Sequence, residues 1–143
     1  MEIPDSAIIL WKVCLLESYY LDVSSLTSEQ LSIQESAIEF SKQKFAPFVA
    51  EWEKKHHFPV DVIKEAAQYG FASIYNDPEY GGCGLGRFEA SLIFEALATS
   101  SVPLSAYLSI HNMNAWLLDT YGSKEHKEKY GEMLATMEVW IFF

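Results

Sequence analysis

Apolar side chains recur at helical spacing through most of the chain, and the first such run begins after a polar start signal at Thr27. Thr27 and Gln30 have the spacing of a capping box, in which each side chain bonds to the backbone amide of the other residue. Apolar residues then follow every seven positions, which places them along one face of a helix. These residues are Leu31, Ile38, Phe45 and Trp52.

Proline and glycine residues divide the rest of the chain into further helical segments. Pro47 lacks the amide hydrogen that a helix interior needs, so we predict a break near Ala46 and a new helix from Pro47. Pro59 suits the first turn of the next helix, and Gly70 suits its end. Apolar or charged spacing predicts three more helices, over residues 88–98, 103–121 and 123–133.

The segment that opens at Pro59 has its apolar residues on one predicted face, at Val60, Ile63, Ala66 and Ala67. After this segment, residues 71–75 are the longest candidate for a strand, and they number only five. The sequence therefore predicts an all-α fold, a helical bundle.

Residues 76–90, NDPEYGGCGLGRFEA, contain a glycine cluster of the kind that holds phosphates in nucleotide enzymes. Gly82, Gly84 and Gly86 give G-x-G-x-G, but the position three after Gly84 is Arg87, so the dinucleotide fingerprint is incomplete. No Gly-Lys-Ser/Thr comes after it, which excludes a Walker loop. We predict a tight connection between helices that uses the conformational freedom of glycine.

The length and charge of the chain restrict its function. The 143 residues are enough for one domain with its own core, and half of them are hydrophobic. Ten Lys and Arg residues stand against twenty Asp and Glu residues, a formal net charge of −10. Nucleic acids and anionic membranes are bound by basic surfaces, so we expect neither as a partner.

The cysteine and histidine residues do not form a recognisable metal site. Cys14 and Cys83 are far apart and suit a reducing compartment. Glu53-x-x-His56 has the spacing of half a di-iron site, but no second such motif exists, so we expect His56 at the surface. The apolar run at residues 7–16 is too short to span a bilayer and comes after an acidic flank, so we expect neither a membrane span nor a targeting segment.

Several motifs in a fixed order resemble the N-terminal helical domain of the acyl-CoA dehydrogenases. They are the capping box, the break APFVAEW, the helix start FP, the loop YGGCGLG and the run EALATSSVPLSAYLSIHNMNAW. The last run looks most like the members that act on short branched acyl chains. The resemblance covers residues 26–138, which we expect to be that domain. Residues 1–25 look like an atypical leader, and residues 139–143 look like a divergent tail.

The resemblance implies a flavoenzyme that binds FAD and oxidises an acyl-CoA, as a homotetramer in the mitochondrial matrix. In the family a β-domain contacts the flavin, and a C-terminal helical bundle supplies the catalytic glutamate. No residue of this chain matches either part. We therefore expect no catalytic and no cofactor-binding residue here, and a truncated product, from splicing or from a gene model, that is inactive alone.

The resemblance also places the floor of the acyl pocket on the long predicted helix. The implied substrate-binding residues are Ser105, Ala106, Ser109, Ile110 and Met113. Their spacing of i, i+1, i+4, i+5 and i+8 puts them on one side of a helix. The alternative is that the small residues only allow close helix packing. His111 and Asn112 lie beside the stripe, and we expect His111 to be a hydrogen-bonded structural residue.

A second function class stays open, a non-catalytic helical module that docks onto full-length subunits or another partner. In the family this domain is covered by other domains, so by itself it would expose apolar surface and associate with copies of itself. The two functions differ in the sequence that they require beyond Glu138, and sequencing the transcript across that point would distinguish them.

Overall fold

The computed structural model describes residues 25–139, and these residues form α-helices joined by turns. The helices are α1 (Ser28–Phe40), α2 (Val49–Lys55), α3 (Val60–Gln68), α4 (Arg87–Ala98), α5 (Val102–Tyr121) and α6 (Lys124–Ala135). No strand occurs within the described range. The predicted all-α fold is confirmed. The predictions for residues 1–24 and 140–143 lie outside the described residues.

The capping box at the start of α1 is confirmed. The amide of Gln30 donates to Oγ1 of Thr27 at 3.2 Å, and the amide of Thr27 donates to Oε1 of Gln30 at 3.1 Å. Both bonds satisfy amides that the first turn of a helix leaves without a partner.

The predicted break at Pro47 is confirmed, with one feature that the sequence did not suggest. A π-helical turn, Ser41–Phe45, follows α1, and α2 begins at Val49, two residues after Pro47. A π turn carries an extra residue, so side chains five positions apart come to one side. Phe40 and Phe45, which are 2% and 0% exposed, both enter the core and meet edge to face at 5.4 Å.

The core of residues 32–139 combines side chains from these helices and from the turn after α3. Gly70, at φ +81°, ends α3 as predicted. Val60 was predicted to share a face with Ile63 and Ala66. Those two residues are fully buried, whereas Val60 is 42% exposed at the first position of the helix. The largest fully buried side chains of the apolar core are Phe45, Ile63, Ile74, Ile93, Leu97, Leu108 and Met137.

The strand candidate at residues 71–75 is a buried turn. Its backbone bonds go to the end of α3, to the glycine connection (residues 81–86) and to a side chain of α5, and none joins a strand partner within the described residues. Ile74 is fully buried, yet its carbonyl accepts from the amide of Leu85 at 2.9 Å. The apolar residues of this segment are buried on all sides. A short apolar run in the sequence does not distinguish such a buried turn from a strand.

Candidate functional site

The helix α5 carries the candidate site, and its ends follow from its sequence. Oγ of Ser101 accepts the amide of Leu104 at 3.4 Å, and Pro103 occupies the first turn, where it loses no hydrogen bond. Among its twenty residues only Asp119 is charged. A long helix with one charge is expected to bury most of its surface.

One side of α5 is nevertheless open to solvent. At about 100° per residue, these side chains fall within one third of the helix circumference. We refer to them as the exposed α5 face: Val102, Ala106, Ser109, Ile110, Met113, Leu117 and Tyr121. Five of them are large apolar side chains, from 40% exposed at Ile110 to 75% at Tyr121.

Four of the five predicted substrate-binding residues lie together on this face. Ala106, Ile110 and Met113 are exposed, and Ser109 is half-buried with its hydroxyl donating to the carbonyl of Ala106 at 2.8 Å. Ser105 lies apart from them. It is 5% exposed, and its hydroxyl donates to the carbonyl of Phe94 on α4 at 2.8 Å.

Sequence reasoning missed the ends of this face. Val102, Leu117 and Tyr121 continue the stripe by one turn towards the N-terminus and two turns towards the C-terminus. The signal was present in the sequence, because Val102 comes four residues before Ala106, and Leu117 and Tyr121 come four and eight residues after Met113. A cleft of about 390 Å³ lies at the N-terminal end of α5, beside Trp52, Phe58 and Pro103.

Backbone amides of the glycine connection are bonded to carbonyls of the preceding turn. The amides of Cys83 and Leu85 donate to the carbonyls of Ser73 and Ile74, each at 2.9 Å, and the amide of Gly84 donates to Asn76 at 2.9 Å. These amides are therefore already used, and the prediction of a connection between helices α3 and α4 is confirmed.

Arg87 ties the end of this connection to α5. Its guanidinium carbon lies 3.8 Å from the ring centre of Tyr75 and 4.8 Å from that of Trp116. Burial raises the pKa of the Tyr75 hydroxyl, and the nearby positive charge of Arg87 opposes that rise. The stacking of a cation between two rings holds Trp116 beside the exposed α5 face.

The sequence made predictions for two histidine residues, His56 and His111, and the surface position of His56 is confirmed. His56 is exposed at the C-terminal end of α2, and no group of three metal-binding side chains occurs within residues 25–139. His111 is fully buried, and its Nε2 lies 2.9 Å from the carbonyl of Leu134 on α6. The expectation of a hydrogen-bonded structural histidine is confirmed.

Burial of His111 predicts a loss of stability in mild acid. Burial lowers the pKa of the imidazole below its ordinary 6.5, only partly offset by the bond to Leu134. The unfolded chain then binds the proton more readily, so the stabilisation is complete above pH 6.5 and is lost as the pH falls towards the lowered pKa. The slope contributed by this one group is at most about 1.4 kcal/mol per pH unit.

Urea unfolding between pH 7.5 and 5 measures this slope. His111→Gln is the matched variant, because its amide still donates to the carbonyl of Leu134 and does not titrate. We expect the free energy of unfolding to fall more steeply with acid in the wild-type chain than in the variant. Parallel pH profiles would contradict the prediction.

A family model and curated relatives match most of the chain. Residues 27–138 match the family described as acyl-CoA dehydrogenase, N-terminal domain. The mitochondrial isobutyryl-CoA dehydrogenase of Bos taurus is 45% identical over 113 residues, which are 79% of this chain and 27% of that protein. The chain thus spans about a quarter of the length of this relative.

Solved structures share the fold. PigA with FAD and proline aligns with a TM-score of 0.77 and 31% identity over 81% of this chain and 31% of its own. Butyryl-CoA dehydrogenase from Megasphaera elsdenii aligns with a TM-score of 0.74 and 26% identity over 81% and 31%. No helix within residues 25–139 has the length and apolarity to cross a membrane. The chain belongs to the acyl-CoA dehydrogenases, a family of flavoprotein oxidoreductases, and residues 27–138 are its N-terminal helical domain.

Proposed function

We propose that this domain supplies one wall of the acyl-binding site in an FAD-dependent dehydrogenase of short branched-chain acyl-CoA, of the isobutyryl type. The observation that carries the proposal is the exposed α5 face. Small side chains at Ala106 and Ser109 leave room on the helix, and Ile110 and Met113 add apolar walls beside them. An uncharged, mainly apolar surface with small side chains at its centre suits a short hydrocarbon chain.

The share of the chemistry that falls to this chain is binding and the exclusion of water. In the family, a glutamate removes the α-proton of the acyl group, and the flavin accepts a hydride. No residue here matches that glutamate. The glycine cluster also has no free amides at Cys83, Gly84 and Leu85 for a flavin phosphate, because these amides are bonded to the carbonyls of residues 73–76.

The proposed substrate and location follow from the relative. The bovine protein is named a mitochondrial isobutyryl-CoA dehydrogenase. By analogy, the complete enzyme that contains this domain would be a homotetramer that acts in valine breakdown in the mitochondrial matrix.

A chimeric enzyme tests the proposal. Residues 27–138 of this chain would replace the matching segment of the bovine isobutyryl-CoA dehydrogenase. We expect the chimera to keep bound flavin and to oxidise isobutyryl-CoA with an artificial electron acceptor. A folded, flavin-loaded chimera with no activity on isobutyryl-CoA would reject the proposed function.

The 143-residue chain by itself is expected to bind no flavin and to show no dehydrogenase activity. The physical reason is that a binding wall without the catalytic base and without the flavin-contacting segment lowers no barrier. Absorbance of the purified chain near 450 nm and turnover of isobutyryl-CoA are the measurements. A stoichiometric flavin, or turnover by the chain alone, would contradict this prediction.

The same face supports a second function, docking onto full-length subunits or onto another copy. Contiguous apolar surface of this kind drives association, so we expect the chain to self-associate in sedimentation experiments. Ile110→Glu with Met113→Glu should shift it towards monomer. Gln68→Glu with Ser91→Glu adds the same charge at exposed positions elsewhere and should leave association unchanged. A wild-type monomer at all concentrations would count against docking.

A further inference from the structure

Directional contacts hold α5 on the side opposite its exposed face. Apolar packing alone allows a helix to turn about its axis, whereas a hydrogen bond fixes one orientation. Ser105 bonds to α4, and His111 bonds to α6, through one contact each. Asn112 makes three contacts through one amide group, and two of them leave the helix.

The side chain of Asn112 is fully buried and binds the turn at residues 71–74. Its Oδ1 accepts the amide of Ile74 at 2.8 Å, and its Nδ2 donates to the carbonyl of Phe71 at 2.8 Å. The second Nδ2 proton goes to the carbonyl of Leu108, one turn earlier in α5, at 2.9 Å. Both Nδ2 protons of Asn112 and one of the two lone pairs of its Oδ1 are thereby used in hydrogen bonds.

The turn that Asn112 holds is itself fixed from its other side. The carbonyl of Ile74 accepts the amide of Leu85, and the carbonyl of Ser73 accepts the amide of Cys83. Asn112 thus joins α5, the buried turn and the glycine connection in one continuous set of bonds. Ile74 and Phe71 are 0% and 3% exposed, so water does not readily replace the side chain if it is removed.

We infer that Asn112 is a positioning residue for the acyl-binding wall, an inference that rests on the proposed function. Asn112 lies between Ile110 and Met113 in the chain. It therefore anchors the turn of α5 that carries these two apolar side chains of the proposed site. A side-chain atom about 6 Å from the axis moves by about 2 Å when a helix turns by about 20°. That displacement is comparable to one methyl group, the difference between a branched and a straight acyl chain.

Two matched substitutions separate this role from ordinary helix stability. Asn112→Ser keeps a hydroxyl that reaches the carbonyl four residues earlier but not the turn. Asn114→Ser is the control, because the one side-chain bond of Asn114 within residues 25–139 is local, from Nδ2 to the carbonyl of Ile110 at 2.9 Å. Both variants remove an amide from the same helix.

The first measurement uses the chain as it stands and does not depend on its function. Amide hydrogen exchange at Ile74 should accelerate by about 10- to 100-fold in Asn112→Ser, because its buried amide loses its acceptor. The exchange rate at Ile74 should not change in Asn114→Ser.

If Asn112→Ser does not fold, the wild-type chain still provides a test. Both side-chain amide protons of Asn112 should exchange more slowly than those of Asn114. Equal exchange at Ile74 in the two variants, or equal exchange of the two side chains, would overturn the inference.

The second measurement is substrate preference in the chimera, which a merely structural residue would not alter. Asn112→Ser should lower the ratio of kcat/KM for isobutyryl-CoA to that for propionyl-CoA by about three- to tenfold, with flavin content unchanged. Asn114→Ser should leave the ratio unchanged. If Ser109→Phe shifts this ratio and Asn112→Ser does not, only the positioning role fails. If Ser109→Phe does not shift it either, the proposed function fails and the positioning role fails with it.

Discussion

Ser109→Phe in the chimeric enzyme is expected to lower kcat/KM for isobutyryl-CoA by about ten- to a hundredfold. Ser109 is half-buried between Ala106 and Met113 on the exposed α5 face, and a phenyl ring there fills the space proposed for the end of the branched chain. Filling a well-packed site costs about 1–3 kcal/mol, and the same loss of transition-state binding gives this range of rates. Kinetics with isobutyryl-CoA and propionyl-CoA measure the effect, which should be larger for the branched substrate.

Trp116→Ala is the control for this substitution. Trp116 lies seven residues further along α5, where it stacks on Arg87 and contacts Tyr121 edge to face at 6.0 Å. Its loss should reduce the amount of folded enzyme and leave the ratio between the two substrates unchanged. An equal loss for both substrates in Ser109→Phe, or a loss of flavin, would identify Ser109 as a packing residue.

The ends of the helices could be predicted from the sequence because local chemistry determines them. The capping box at Thr27 and the helix end at Gly70 each involve residues close in the chain. Such signals act within one helical turn, so a single sequence contains them in full. The position of Pro47 at a break follows in the same way.

The features that could not be predicted depend on contacts between distant segments. The π turn aligns Phe40 with Phe45, and Oγ of its first residue, Ser41, donates to Leu97, fifty-six positions away. Residues 71–75 form a turn because Asn112 and the glycine connection satisfy their backbone. The family resemblance and the helical spacing also grouped Ser105 with the other site residues, whereas its bond to Phe94 turns it towards α4. Tertiary hydrogen bonds decide each of these positions.

Gly82→Ala is expected to lower the free energy of unfolding of the chain by about 3 kcal/mol or more. A Cβ atom at this position would lie 2.1 Å from the carbonyl oxygen of Asn76 and 2.3 Å from its carbon, so two backbone segments would have to separate. The same carbonyl accepts the amide of Gly84, and Asn76 is 6% exposed, which leaves no space for the shift. Overpacking against backbone atoms in a buried site is one of the mechanisms by which a single substitution lowers the free energy of unfolding most strongly.

Gly86→Ala is the matched control within the same connection. A Cβ atom there would meet Oε2 of Glu89 at 2.5 Å, the far end of a flexible side chain that can move aside. Gly86 has φ −83°, which alanine adopts without strain, so the cost should stay below about 1 kcal/mol. Urea unfolding of both variants and of the wild-type chain measures the difference. Equal stability of the two variants would contradict the prediction. It would show that the backbone at residues 76–82 can shift to accept a Cβ atom, so that position 82 does not require glycine.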